Sequence, residues 1–216
     1  MADGTGSDLT SSPGAYDVVV LAGGTGERLG GVDKALLRRD GRTLLDRLLD
    51  AVADARGVVV VGPERPTRRQ VAWTREDPPG GGPGAGLLAG LGALAERGAP
   101  AAAVLVVAVD MAYVGPATVG RLQAGLRPDH DEGRPVDGAV LVGRDGRRQL
   151  CLLLRASATE RLRAACAENP AGIPVHRLLQ TLALHEIRAE DDEDLDVDTP
   201  DDLDRLQAPA SSREPD

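Results

Sequence analysis

The chain has no phenylalanine, and its only aromatic residues are Tyr16, Trp73 and Tyr113. A core so poor in aromatics has to be built from Leu, Val and Ala. It also offers no row of platforms on which unpaired bases could stack, which argues against a single-stranded nucleic-acid binder. Positive charge is in deficit too: 25 Lys and Arg stand against 34 Asp and Glu, a formal charge of −9. Such a chain repels a polyanion on average, so nucleic acid is not an expected partner. The doublets Arg38-Arg39, Arg68-Arg69 and Arg147-Arg148 read as solvated faces. Cysteine is limited to Cys151 and Cys166, whose spacing matches no metal motif and makes no disulfide framework. The histidines His130, His176 and His185 are far apart and form no ligand pattern. Long apolar runs are missing as well. The longest, Ala101 to Val109, is far short of the roughly 20 residues that span a bilayer. The first sixteen residues contain no apolar stretch of the secretory type. With so few thiols, a reducing cytoplasm is the expected setting.

One further scarcity points toward chemistry. Lys34 is the only lysine; every other one of the 25 basic residues is arginine. Where only charge matters, arginine has replaced lysine throughout. A surviving ammonium suggests a place that needs a compact point charge able to approach a phosphate closely.

At 216 residues the chain fits one domain with a sizeable core. Residues 1–15 and 208–216 read as polar tails, and 16–207 as a single domain. Within it, strand and helix signals alternate. Asp17–Ala22, Val58–Val61 and Ala103–Val109 are short continuous apolar runs, as expected of buried parallel strands. Val71–Trp73 is a shorter candidate, and Gly138–Val142 and Leu150–Leu154 read as strands joined through the turn Gly143-Arg-Asp-Gly146. Leu44, Leu45, Leu48, Leu49 and Val52 share one helical face. Further helices are expected over Leu87–Arg97, Ala117–Leu126, Ser157–Ala167 and Val175–Leu184, with a short one opening at Thr199-Pro-Asp-Asp202. The Pro- and Gly-rich stretch Asp77–Gly86 reads as a long loop. The alternation implies an α/β fold with a mostly parallel sheet. Ligands of such sheets bind beyond the carboxyl ends of the strands. That rule brings together the loop after Ala22, the loop holding Asp77, and Asp110.

The first of these segments is Leu21-Ala-Gly-Gly-Thr-Gly-Glu-Arg-Leu-Gly30, followed by Asp33-Lys34. Gly23, Gly24 and Gly26, with Thr25 between them, let the backbone turn sharply and aim N–H groups at phosphate oxygens. Arg28 and Lys34 add positive charge. It is not a Walker A loop, because Lys34 is preceded by Asp33 and followed by Ala35. It also misses the dinucleotide fingerprint by one residue, since Leu29 stands where the third glycine belongs.

Leu-Ala-Gly-Gly-x-Gly-x-Arg-Leu-Gly-Gly-x-Asp-Lys resembles the signature of the molybdenum cofactor guanylyltransferases, within the superfamily of sugar-nucleotide-type nucleotidyltransferases. The resemblance covers roughly residues 17–206. It implies a three-layer, Rossmann-like nucleotidyltransferase fold with a mostly parallel sheet. It implies that Leu21, Ala22, Gly23, Gly24, Thr25, Gly26 and Lys34 bind the nucleotide, with Arg28 and Lys34 offsetting its charge. Asp77-Pro-Pro-Gly-Gly-Gly-Pro-Gly-Ala-Gly86 is similar to the family's acidic residue followed by Gly-Pro-Leu-Ala-Gly, so Asp77 is expected to touch the nucleoside. Val109-Asp110-Met111-Ala112 is similar to the family's Cys-Asp-Met/Thr-Pro, which makes Asp110 the expected ligand of Mg²⁺, a cation that takes hard oxygen donors. Asp198-Thr-Pro-Asp-Asp-Leu203 resembles the family's last motif. Here a helix start accounts for the residues, with Thr199 as cap, Pro200 at the first position and Asp201 and Asp202 at the positive end.

The implied reaction joins GTP and molybdenum-bearing molybdopterin into the guanine dinucleotide cofactor, with release of pyrophosphate. Molybdoenzymes or cofactor-delivery proteins are the implied partners. Gly62-Pro63 stand where the family commonly has a nucleotide-contacting Asn, so guanine against cytosine stays open. A non-catalytic, nucleotide-binding adaptor is the other reading. Gln149 falls where the family often has a Gln, and the acidic stretch Glu190–Asp194 reads as a solvated turn.

Overall fold

The computed structural model describes residues 16–24, 26–98, 101–126, 136–166 and 174–208. His130, Thr25 and the tails at 1–15 and 209–216 lie outside them. The valine-rich runs form a seven-stranded sheet in the order β5-β4-β1-β6-β8-β7-β9. Its members are β1 (Tyr16–Leu21), β4 (Val58–Val61), β5 (Ala72–Thr74), β6 (Ala103–Ala108), β7 (Gly138–Val142), β8 (Arg148–Arg155) and β9 (Leu184–Arg188). The pairs β1–β4, β1–β6, β4–β5 and β7–β9 are parallel. Only β8 runs against its neighbours β6 and β7. The expected turn at Gly143–Gly146 makes the β7–β8 hairpin, closed by Gly143 N–H on Arg147 O at 2.9 Å.

Alternation along β1 sorts the helices into two outer layers. Tyr16, Val18 and Val20 pack with α1 (Leu44–Ala51) and α3 (Pro116–Ala124) on one face. Val19 packs with α2 (Gly82–Glu96), α4 (Ala156–Ala165) and α5 (Val175–Gln180) on the other. Both faces of the central strands are covered, which is why these strands read as unbroken apolar runs. Full burial of a Val or Leu side chain contributes about 1.5–3 kcal/mol, and Val18, Val19, Val20, Leu105 and Val106 are all fully buried. A third, smaller cluster matters most for the site. Leu29, Leu44, Ala112, Val197 and Leu206 meet beneath it and tie the last helix, α6 (Pro200–Gln207), to the first loop.

Three local expectations need correction. Helix α2 starts at Gly82, inside the stretch expected to be a loop. Pro83 is favourable in a first helical turn. Glycine lets the helix lie close on the sheet, where a Cβ on Gly90 would sit 2.4 Å from Val19 and 3.0 Å from Val61. Packing overrides propensity. Helix α5 ends at Gln180, and Leu184–Arg188 instead forms β9, paired in parallel with β7. A two-stranded hairpin, β2 (Arg38–Arg39) with β3 (Arg42–Thr43), was not foreseen. It turns at Asp40 and Gly41, both with positive φ. Among the described residues no helix is long and apolar enough to cross a membrane.

Candidate active site

The carboxyl ends of β1, β4 and β6 open into a cleft of about 730 Å³. Its floor is Leu21, Ala22, Gly23, Gly24 and Gly26; Asp110, Asp196 and Asp198 stand on one side, and Glu76 with Gly82–Pro83 on another. The first loop leaves the strand in register, with Ala22 N–H bonded to Val61 O at 2.8 Å. It then reverses at Gly26, whose φ of 59° is left-handed and whose carbonyl accepts from Leu29 at 2.8 Å and Gly31 at 3.0 Å. Glycine is the residue that adopts this conformation without steric cost.

Lys34 is the electrostatic hub. Its Nζ donates to Asp110 Oδ2 at 2.8 Å and to Asp198 Oδ1 at 2.9 Å, and its side chain is 12% exposed. Desolvation works against the ammonium, but the hydrogen bonds and charges of Asp110 and Asp198 outweigh it and raise the lysine pKa. Reciprocally, Asp198 is lowered, chiefly by the Lys34 hydrogen bond, with Arg28 adding to it. Asp196 is pushed the other way, by desolvation first and then by the neighbouring Asp110 charge. Arg28 pairs with the second oxygen of Asp198 from the cleft rim, where its side chain is largely exposed.

Local structure explains how these groups arrive. Asp33 caps the single helical turn Lys34–Leu36, with Oδ1 accepting from Ala35 N–H at 3.1 Å. Asp110 follows directly on β6, and its carbonyl accepts from Val197 N–H at 3.2 Å. That bond brings in a segment from the far end of the chain. Thr199 and Asp202 form a reciprocal cap on α6, and Asp202 Oδ2 also accepts from Asp198 N–H at 3.2 Å. The cap expected from the sequence is therefore present, and it also presents Asp198 to Lys34. Locally a helix cap accounts for the motif that holds Asp198, and the Lys34 partner that brings it into the cleft lies 164 positions away.

The acidic stretch at 190–194 is an anchored turn rather than a merely solvated one. Glu193 is 8% exposed, accepts from Thr118 Oγ1 at 2.6 Å and pairs with Arg121 of α3. Asp194 accepts from Arg144 N–H at 2.8 Å on the β7–β8 turn. Those two anchors fix the approach of residues 196–198 to the cleft.

Of the expected site residues, Leu21, Ala22, Gly23, Gly24, Gly26, Arg28, Lys34 and Asp110 all line the one cleft. Thr25 lies outside the described residues. Asp77 does not line it. The cleft carries Glu76, one residue earlier, whereas Asp77 lines a shallow depression between α2 and α4. The two carboxylates lie just past β5, and the backbone there sends Glu76 into the cleft and Asp77 away from it. Gln149 does reach the cleft, beside Leu150. Gly62 explains the missing Asn. Its φ is 145°, and a Cβ there would meet Ala22 O at 2.7 Å, so the backbone of the first loop occupies the space of a side chain.

With that geometry in view, comparison with known proteins identifies the lineage. Residues 18–187 match the MobA-like NTP transferase domain. The chain belongs to this family of nucleotidyltransferase enzymes. It is 32% identical over 193 residues to the molybdenum cofactor guanylyltransferase of Xanthomonas euvesicatoria pv. vesicatoria, covering 87% of this chain and 92% of that one. Matches to other proteins of that name are shorter, down to 45% of the relative's length. Among solved structures, molybdopterin-guanine dinucleotide biosynthesis protein A of Archaeoglobus fulgidus superposes with a TM-score of 0.62 at 22% identity, over 88% of this chain and 96% of that one. A Mycobacterium tuberculosis H37Rv protein in complex with manganese gives 0.63 at 20% identity, over 88% and 97%. The last two show the shared fold.

Proposed function

We propose that the protein transfers GMP from GTP to the terminal phosphate of molybdenum-bearing molybdopterin, releasing pyrophosphate. The observation that carries this reading is Lys34, largely shielded at the end of a glycine-rich loop and held by two carboxylates inside one cleft. A phosphate oxygen of the pterin attacks the α-phosphorus of GTP; the new P–O bond forms as the bond to the β-phosphate breaks. The nucleophile is already an anion, so the site needs no strong base. What it needs is positioning and charge compensation for two anionic partners.

Gly23–Gly26 cradle the triphosphate, and Lys34 and Arg28 offset its charge. Asp110 and Asp198 share one ammonium, and no cluster of three or more acidic, His or Cys side chains is built for a metal among the described residues. A divalent ion here would have to complete its ligand set from outside the protein. This suits Mg²⁺, which commonly uses one or two carboxylates plus substrate phosphates. Asp110 would hold it, and when bound it would supply further positive charge beside the substrate phosphates.

Glu76 takes the nucleoside role that the resemblance implied for Asp77. A carboxylate accepts two parallel hydrogen bonds from the N1–H and 2-amino groups of guanine. Cytosine offers one amino donor beside two acceptors, which a carboxylate repels. This favours GTP. The test is calorimetric titration with GTP, CTP and ATP, with and without Mg²⁺, on wild type and Glu76→Gln. The reading expects GTP preference in wild type and its loss in the variant. Preference for CTP moves the assignment to a cytidylyltransferase, and binding of none favours an adaptor.

A further inference from the structure

Behind the cleft, outside its lining, lies a cation that the reaction does not use. The Arg65 side chain is 6% exposed and ties two other loops to its own. Its Nε donates to Asp33 Oδ2 at 2.6 Å, one terminal nitrogen to Ala22 O at 3.1 Å, and the other to Pro63 O at 2.9 Å. Those acceptors belong to the Lys34 turn, to the start of the glycine-rich loop, and to the exit of β4 beside Gly62.

We infer that Arg65 is a positioning residue that sets the distance between the glycine-rich loop and Lys34. The planar guanidinium carries donors in a fixed fork, so its three bonds define the relative placement of three backbones. An ammonium has the charge but not the fork. The connection to Lys34 runs through Asp33, whose second oxygen caps the turn at Ala35. The connection to the loop runs through Ala22, the residue before Gly23. This assigns Asp33 as well: both of its oxygens are committed to holding the turn, so it is a strut rather than a nucleotide contact. The nearly buried guanidinium is paired and hydrogen-bonded, while Asp33 keeps 36% of its side chain in solvent.

The inference rests on the triphosphate reading of this loop, and the experiment separates the two. Arg65→Lys, Asp33→Asn and the double variant are compared in the full chain, by GTP titration with Mg²⁺ and by hydrogen exchange of the segment 21–36 against helix α4. Expected are about a tenfold weaker GTP affinity in Arg65→Lys and at least about tenfold faster exchange in 21–36, with α4 unchanged. In the Asp33→Asn background the lysine substitution is expected to add less than about twofold, because the two act as a unit. GTP affinity within twofold of wild type, fully independent effects of the two substitutions, or exchange that rises equally in α4 overturns the inference. A wild type that binds no GTP overturns the triphosphate reading instead, and the exchange comparison then decides alone whether Arg65 orders the loop.

Discussion

Replacing Lys34 by Met tests the hub directly. Met keeps an unbranched stem only one heavy atom shorter, so the substitution removes charge and hydrogen bonds with little loss of volume. Two charge-assisted hydrogen bonds disappear, at 2.8 and 2.9 Å. Each such bond contributes about 1.5–3 kcal/mol when well shielded. Their acceptors, Asp110 and Asp198, are 21% and 32% exposed, which lowers the yield of each. We take about 2–3 kcal/mol for the pair. At about 2–4 °C per kcal/mol for a chain of this size, Tm falls by about 4–12 °C. The same change leaves two facing carboxylates without their shared cation. Millimolar Mg²⁺ should therefore restore more of the lost Tm in Lys34→Met than it adds to wild type. The assay is differential scanning calorimetry at neutral pH, with and without Mg²⁺, followed by GTP titration of the folded variant. A Tm within about 1 °C of wild type refutes the claim that the ammonium holds these carboxylates in place.

Three other expectations follow from the same geometry. Asp110→Ala abolishes Mg²⁺-dependent turnover while largely sparing metal-free GTP binding; turnover at the wild-type rate sinks the metal assignment. Asp198 is lowered in the fold, first by Lys34, so its contribution to stability is present above the ordinary carboxylate value and is lost as pH falls through the folded one. Calorimetry from pH 5 down to about pH 2.5 should show Asp198→Asn losing less Tm than wild type over that interval, and parallel curves contradict the assignment. Gly62→Ala places a methyl group against the Ala22 carbonyl on a backbone with φ of 145°. We expect a loss of about 1–3 kcal/mol in urea unfolding, with weaker GTP binding in the folded variant; wild-type values for both contradict the close approach.

The layered fold was largely readable because its signals are local. Val58–Val61 and the run around Leu105 are unbroken apolar stretches, which only doubly covered strands need. The glycines after Ala22 and the lone lysine were readable for the same reason. What escaped depends on distant partners. Gly82–Gly86 looks like a loop until Leu87, Leu88 and Leu91 press the helix onto the sheet. Leu184-His-Glu-Ile-Arg188 alternates as an edge strand, but only its pairing with β7 distinguishes it from a helix tail. Glu76 and Asp77 are chemically similar neighbours, and the direction of one side chain chose between them. Asp198 and Arg65 meet partners 164 and 32 positions away, and no spacing rule in one sequence links such pairs.

The long reach of those contacts has a consequence for biosynthesis. The glycine-rich loop, Arg28 and Lys34 emerge from the ribosome among the first residues of the fold, but the carboxylate that joins Arg28 to Lys34 comes 170 positions after Arg28. Synthesis runs from the N-terminus, and every strand of the sheet ends by Arg188. The nascent protein therefore carries all the strands of its sheet while its glycine-rich loop still lacks a wall. The cleft becomes complete when Val197 bonds Asp110 and α6 docks on Leu29 and Leu44. Docking of α6 and completion of the cleft are thus nearly the same event, so a nascent protein that still lacks residues 196–207 cannot present the finished cleft.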